Sequence, residues 1–385
     1  MLGQKIIKNS AVTEDFILRY AEITGWGKYA PPLLMTNDDM AKIVDTSDEW
    51  IFSRSGIRQR HYSHISTGDM AWLAAENALA AADTAADDID LIILGSTTPE
   101  EICPNTASYI KNKLGASKAA AFDLNSACTS WFYALNAATD MIRAGSINKA
   151  LVIGSERLSL AMDWKKRESC FLFGDGAGAV LIEASEQTSG LLASKLSCVP
   201  DSRECLRLPG WGMTSTRFSE EFFISLDFEG QEIFKSAVKG MSDAIADVLE
   251  KQNLSAEDID LFIPHQANIR IIQTLAKRLN FPMEKVVVAI EGYANTSAAS
   301  IPLALCDALD AGRVKPGMKI LTATFGAGLT CGAGIIQWGD RVAPLAVSDA
   351  AVADFEGTVF DLMADSFVHY GVDAAHLLSS TPSKG

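Results

Sequence analysis

The chain carries a diverged copy of part of itself. Asp-Asp-Ile-Asp-Leu-Ile-Ile (87–93) recurs as Glu-Asp-Ile-Asp-Leu-Phe-Ile (257–263), an offset of 170 residues. Cys128-Thr-Ser leads into an apolar stretch ending at Ala144-Gly145, and Asn295-Thr-Ser into one ending at Ala311-Gly312, both at an offset of 167. Asp-Ile-Asp-Leu is a common entry to a buried strand, so one such match could be chance. Two matches at nearly one offset, with a shared strand, loop, helix order, point instead to duplication.

On that reading Cys128 and Asn295 stand at equivalent places, each at the start of a helix, and His265 follows a strand end. Taken singly, each has a plainer explanation: a small core residue, a structural histidine, a turn residue or helix cap. Together, a thiol, an imidazole and a carboxamide can form an acyl thioester and then stabilise a carbanion. Unpaired N–H groups at a helix start would lower the pKa of the Cys128 thiol. The other histidines, His61, His64, His369 and His376, lie in polar or tail segments.

Short β-rich runs at Leu91–Leu94, Ala150–Ile153 and Ile320–Ala323 alternate with helical stretches around Trp72–Ala86, Trp131–Arg143, Ile233–Lys251 and Ile271–Leu279. That alternation predicts an α/β protein with largely buried sheets. With 385 residues, 48% of them hydrophobic, the chain can bury a sizeable core. No apolar run reaches the roughly 20 residues that span a bilayer. Glu14, Asp15, Arg19 and Glu22 stand where a signal peptide needs an apolar core, so a soluble, cytoplasmic protein is expected.

Seven cysteines at irregular spacings, with no Cys-x-x-Cys pair, indicate neither a disulfide framework nor a metal site. A net charge of −15 disfavours nucleic acid as a partner, and any acidic partner needs a local basic patch. Phe-Gly-Asp-Gly-Ala-Gly-Ala (173–179) superficially resembles a dinucleotide-binding loop, but the following Val-Leu-Ile-Glu (180–183) reads as a strand. No nicotinamide or flavin is expected. The second glycine-rich stretch, 325–334, is expected to bring backbone N–H groups to an oxyanion near the cysteine.

The motif Asp-Thr-Ser-Asp-Glu-Trp-Ile-Phe-Ser-Arg-Ser-Gly-Ile-Arg (45–58), the 173–179 stretch, Pro-His-Gln-Ala-Asn-Ile-Arg (264–270) and Asn-Thr-Ser-Ala-Ala-Ser (295–300) occur in that order. Together they resemble the β-ketoacyl-acyl-carrier-protein synthase III family of thiolase-fold enzymes, from about Ile23 to Trp338. The resemblance implies an internally duplicated five-layer αβαβα fold, with halves at 1–190 and 191–340 and an extension at 341–385. It also implies a homodimer and a decarboxylative Claisen condensation in fatty acid biosynthesis, with acyl-CoA and malonyl-acyl carrier protein as substrates and no cofactor.

Carried over by position, Cys128 matches the nucleophile, and His265 with Asn295 the pair that stabilises the enolate. Backbone N–H groups of Cys128 and Ala327 match the oxyanion hole. Trp50, Arg54, Arg167 and Asn268 resemble residues that hold CoA, and Phe325 lies beside the decarboxylation site. Lys235, Arg270, Lys277 and Arg278 match the face that docks the carrier.

Several positions depart from the family pattern: Thr129-Ser130-Trp131, Ala327 and Leu329-Thr-Cys331. Cys103 stands where short-chain members often carry a phenylalanine that closes the acyl pocket, which favours a medium- or long-chain primer. An acyltransferase or ketosynthase of a natural-product pathway would share the Cys/His pair. An inactive partner subunit would be expected to lack Cys128 or His265, and a papain-like hydrolase fits neither the repeat nor the carrier-type motifs. The tail holds seven acidic residues against Arg341 and Lys384, and is expected either to form a helix around Phe355–Tyr370 or to be a solvated appendage.

Overall fold

The computed structural model describes residues 19–199, 203–209 and 226–379. In chain order its strands are β1 (Tyr20–Tyr29), β2 (Leu33–Thr36), β3 (Gln59–Tyr62), β4 (Leu91–Gly95), β5 (Ala120–Leu124), β6 (Lys149–Glu156), β7 (Gly176–Ser185), β8 (Gly190–Cys198), β9 (Leu206–Arg207), β10 (Asp227–Phe228), β11 (Leu261–Pro264), β12 (Lys319–Gly326) and β13 (Thr330–Gln337). The α-helices are α1 (Asn37–Met40), α2 (Asp48–Ser55), α3 (Thr67–Ala82), α4 (Thr106–Leu114), α5 (Ser130–Arg143), α6 (Gly230–Lys251), α7 (Ile269–Arg278), α8 (Ile290–Tyr293), α9 (Ser300–Asp310), α10 (Val359–Leu362) and α11 (Ala364–Tyr370).

Nine strands hydrogen-bond in the order β11-β12-β13-β8-β1-β7-β6-β4-β5. The two wings of this array follow one pattern. β4 pairs with β6 in parallel, β6 with β7 and β7 with β1 antiparallel; β11 pairs with β12 in parallel, β12 with β13 and β13 with β8 antiparallel. The wings join through one parallel pair, Ala21 with Gly190. The sequence offset reappears as repeated topology, since β11 starts 170 residues after β4 and β12 starts 170 after β6.

Successive strand side chains point to opposite faces, so a strand covered on both sides must be apolar throughout. In β4, Ile92 and Leu94 pack with α3 and α4, whereas Leu91 and Ile93 face the apolar cluster that holds α5 and α9. In β11, Leu261 and Ile263 face that same central cluster, while Phe262 faces α6 and α7. The result is five layers: helix, sheet, helix, sheet, helix.

α3 begins five residues earlier than its apolar pattern predicts, because the Ser66 side chain accepts from Asp69 N and caps it at Thr67. Beyond β13 the chain packs back over the molecule. Leu345 N and Ala346 N donate to Ala81 O and Ala80 O at the end of α3. α11 buries Phe367 and Tyr370, and Trp164 Nε1 donates to Ser366 Oγ at 2.9 Å with its ring edge-on to Phe367 at 5.1 Å. Helix in the tail starts at Val359 and not near Phe355, because Thr358 and Asp361 form a capping box. Among the described residues no helix is long and apolar enough to cross a membrane.

Candidate active site

Two alanines with left-handed backbone position the site. Ala127 and Ala294 each have φ of +58°, and each immediately precedes a residue of the predicted trio. Such a φ crowds Cβ against backbone and costs on the order of 1–3 kcal/mol, so surrounding contacts must hold it.

Around Cys128, Ser130 N and Ser130 Oγ donate to Ala127 O at 2.9 and 2.6 Å, and Ser126 N donates to Ser130 Oγ at 2.9 Å. Thr129 Oγ1 donates to Ser126 O at 2.6 Å and also lies 2.9 Å from Thr330 Oγ1, which in turn donates to Ala327 O at 3.3 Å. This hydroxyl cluster ties the cysteine loop to the turn between β12 and β13. Gly326 closes the approach: a Cβ there would stand 2.7 Å from Cys128 N.

Asn295 is gripped by the first glycine-rich stretch. Its N donates to Leu172 O at 3.0 Å and its O accepts from Gly174 N at 3.1 Å. A Cβ on Gly174 would lie 2.4 Å from Tyr293 O, so that glycine serves close approach of two backbones. Ser297 N donates to Asn295 Oδ1 at 2.9 Å. That bond engages the amide oxygen and leaves the Nδ2 protons for the cavity that Asn295 lines.

His265 ends the β11 strand run, with its N donating to Ala323 O at 2.8 Å. Its Nδ1 lies 2.5 Å from Ser300 Oγ, and Ser300 Oγ also accepts from Gln266 N at 3.4 Å. Where the Ser300 hydroxyl donates to Nδ1, the imidazole carries its own proton on Nε2. Burial lowers the His265 pKa to about 3, which keeps the ring neutral. Nε2 is buried without a protein partner, on a side chain that lines the same cavity. The Phe325 ring stands edge-on to the imidazole at 5.6 Å.

The Cys128 thiol is not acidified as its helix-start position predicts. Burial pushes its pKa up to about 12; the Ser297 hydroxyl works in the opposite direction, and the charge of Glu156 adds to the rise. α5 begins at Ser130 with Thr129 as its N-cap, so the thiol lies one residue outside the cap.

Cys128, His265, Asn295, Ser297, Phe325 and Ala327 share one cavity of about 1640 Å³. Leu158, Met162, Phe171 and Ile233 give it apolar walls, and exposed Arg54, Lys235 and Arg270 mark its rim. Trp50 is held between the guanidinium groups of Arg54 and Arg167, 4.6 and 4.7 Å from its ring. Asn268 caps α7, accepting from Arg270 N at 2.9 Å, and donates to Arg54 O at 3.1 Å. Lys277 and Arg278 are exposed at the far end of α7, about 12 Å along the axis from Arg270.

Other expectations need revision. Cys103 is exposed and does not line this cavity, although Glu101 and Ile102 beside it do. Trp131 and Leu329 do not line it either. Trp131 is buried in the central layer, donating from Nε1 to Val152 O at 3.2 Å, and Leu329 belongs to the cluster around α6. Sequence reasoning also missed Ser297, Ser300 and Glu156. The two serines had a signal, being hydroxyls in the otherwise small, apolar segment after Asn295. Glu156 had none, because its partners come from two segments far apart in sequence, residues 96–98 and Ser297.

Among the described residues, no group of three or more His, Cys, Asp or Glu side chains could hold a metal ion.

Two family models match the chain: 3-oxoacyl-[acyl-carrier-protein (ACP)] synthase III over residues 122–200, and 3-oxoacyl-[acyl-carrier-protein (ACP)] synthase III C terminal over residues 249–338. The β-ketoacyl-[acyl-carrier-protein] synthase III 2 of Vibrio cholerae is 48% identical over 351 residues, 91% of this chain and 97% of that protein. The solved 3-oxoacyl-[acyl-carrier-protein] synthase III of Aquifex aeolicus superposes with a TM-score of 0.78 at 43% identity, covering 83% of this chain and 100% of that one. The priming β-ketosynthase of the R1128 polyketide biosynthetic pathway superposes with a TM-score of 0.80 at 31% identity, covering 84% and 97%.

Proposed function

The chain belongs to the 3-oxoacyl-[acyl-carrier-protein] synthase III family of thiolase-fold condensing enzymes, and on that premise we propose how its own residues carry out the condensation. It is an acyltransferase of fatty acid biosynthesis. In the proposed reaction Cys128 Sγ attacks the thioester carbonyl of acyl-CoA, an S–C bond forms, the C–S bond to CoA breaks, and CoA departs as its thiol with the proton that Cys128 gives up. Backbone N–H groups of Cys128 and Ala327 stabilise the tetrahedral oxyanion.

Malonyl-acyl carrier protein then enters. Loss of carbon dioxide leaves an enolate whose oxygen is met by His265 Nε2–H and Asn295 Nδ2–H. The enolate carbon attacks the acyl-Cys128 carbonyl and the Cys128 thiolate leaves. No base is needed for carbanion formation, because decarboxylation supplies the electron pair. The observation that carries this reading is the unpartnered, buried His265 Nε2 on the cavity shared by Cys128 and Asn295.

The same reading assigns the rim. Arg54 and Arg167 beside Trp50 suit the nucleotide end of CoA, with Asn268 on its pantetheine arm. Lys235, Arg270, Lys277 and Arg278 suit an acidic carrier. The size and apolar walls of the cavity support a medium- or long-chain primer. A homodimer is supported by β5, which among the described residues pairs on one side only and leaves Phe122 37% exposed, with Ile102 after β4 63% exposed. In such a dimer Cys103 acts on the acyl pocket of a second copy, not on its own. The reaction is placed in the cytoplasm, with acyl-CoA and the carrier.

The likeness to a polyketide priming ketosynthase keeps natural-product priming as a second reading. Intact-mass measurement after incubation with acetyl- to decanoyl-CoA tests the proposal. An acyl adduct confined to Cys128, formed fastest at six carbons or more and discharged by malonyl-carrier, is expected. An adduct that malonyl-carrier cannot discharge would remove the condensing role.

A further inference from the structure

Glu156, at the end of β6, is fully buried, yet the reaction as derived above makes no use of it. Its carboxylate is surrounded by donors. Thr97 N stands 3.1 Å from both oxygens, and Thr97 Oγ1, Thr98 Oγ1 and Ser96 Oγ donate to Oε2 at 2.9, 2.7 and 3.3 Å. Ser297 Oγ donates to Oε1 at 2.9 Å. An all-donor shell selects the ionised carboxylate at rest. Burial raises the pKa of the carboxyl, against the donors that lower it.

Ser297, which donates to this carboxylate, lines the same cavity as Cys128, and its hydroxyl lowers the pKa of the thiol. Its φ is +47°, so it is a third non-glycine residue at the site in left-handed backbone, a strain that persists only where surroundings enforce it. Other acceptors for the thiol proton are poorly placed. His265 in the proposed condensation keeps its proton on Nε2 for the enolate, and its Nδ1 is engaged by Ser300. Asp123 is occupied by Thr106 N and Ala107 N at 2.8 Å each, and Glu101 and Glu168 lie exposed at the cavity rim.

We propose that Glu156, acting through Ser297, receives the proton of Cys128 during acyl transfer, an inference that rests on Cys128 being the acylated residue. As the thioester carbonyl arrives, the S–H bond breaks and its proton passes to Ser297 Oγ while the proton of Ser297 passes to Glu156 Oε1. The site then holds a thiolate and a neutral acid, with net charge unchanged. The thiolate forms the S–C bond and the C–S bond to CoA breaks. The relay then runs in reverse and protonates the departing CoA sulfur, restoring ionised Glu156. Glu156 touches neither substrate nor the reacting atoms and is a positioning residue.

The test is single-turnover acyl loading by rapid-quench intact mass between pH 6 and 9, for wild type, Glu156→Gln and Ser297→Ala. Ser297→Ala leaves the carboxylate its other donors and keeps the test open if Glu156→Gln does not fold. Both variants should load at least about 100-fold more slowly at pH 7, with a deficit that shrinks as pH rises and hydroxide takes the proton. The final extent of the Cys128 adduct should be complete, and discharge of preloaded enzyme by malonyl-carrier should stay within a few-fold of wild type.

Loading at the wild-type rate and pH profile would overturn the relay while leaving Cys128 as nucleophile. A pH-independent loss shared equally by loading and discharge would reduce Glu156 to scaffolding and overturn it as well. A wild type that acquires no adduct at Cys128 would remove both the relay and the reading beneath it.

Discussion

Ala127 and Ala294, 167 residues apart, share a φ of +58°, and each passes the next residue, Cys128 or Asn295, to the same cavity. The repeat therefore extends to backbone torsion. In both wings a strained residue ahead of a helix turns a functional side chain inward.

At Ala294 the ψ of −157° places the residue in a region nearly reserved for glycine. Ala294→Gly should leave the thermal midpoint unchanged or raise it, as strain relief outweighs the roughly 0.5–1 kcal/mol entropic cost of glycine. Ala294→Val should lower it. Differential scanning calorimetry decides, and a clear drop for the glycine variant would mean that the alanine carries no strain.

Cys128→Ala should abolish the acyl mass shift. Because burial holds the wild-type thiol near 12, iodoacetamide should alkylate Cys128 in the substrate-free enzyme at pH 7.5 more slowly than it alkylates an exposed thiol. Alkylation of Cys128 faster than of exposed Cys198, read by peptide mapping, would contradict the effect of burial.

His265→Ala and Asn295→Ala should keep acyl loading but lose about 100- to 1,000-fold in condensation. Ser300→Ala should cost condensation only, through loss of the Nε2–H tautomer. The buried ring, held at about 3 in the folded state against an ordinary 6.5, contributes stability in full above pH 6.5, and that contribution is lost as pH falls toward 3. His265→Ala should thus show a flatter decline of stability across that window, measured by urea unfolding at several pH values.

Charge reversal at Arg270, Lys277 and Arg278 should raise the apparent KM for malonyl-carrier and weaken its salt dependence, while sparing a small malonyl thioester. Steady-state kinetics at two ionic strengths with both substrates will show it. Equal effects on both substrates would assign these residues to the cavity and not to docking.

The tail should be a structural part of the enzyme. Phe367→Ala removes a buried ring packed on Trp164 and should cost about 3–5 kcal/mol, seen as a lower urea midpoint. Trp164 lies in the segment that carries Met162 and Phe171 to the cavity wall, so the affinity for long acyl-CoAs should fall as well. Unchanged stability would return the tail to a solvated appendage.

The amino-acid sequence by itself determined the α/β class, the repeat and the trio Cys128, His265 and Asn295. Those properties are local: strand faces buried on both sides must be apolar, and helix starts carry their own capping and small-residue patterns. The ionisation of the site belonged to the tertiary structure. The helix start at Ser130 argued for an acidic thiol, but the layers closing over Cys128 impose a desolvation cost that no local pattern encodes. The imidazole of His265 meets Ser300, 35 residues away in sequence, and the donor shell of Glu156 on β6 is drawn from the segment after β4 and the segment before α9. Cys103 shows the same limit from the other side: its sequence position matched a pocket residue, but in the folded chain Glu101 and Ile102 line the cavity and Cys103 does not. Hydrogen bonds and burial join residues by distance in space, and sequence spacing carries little of that information.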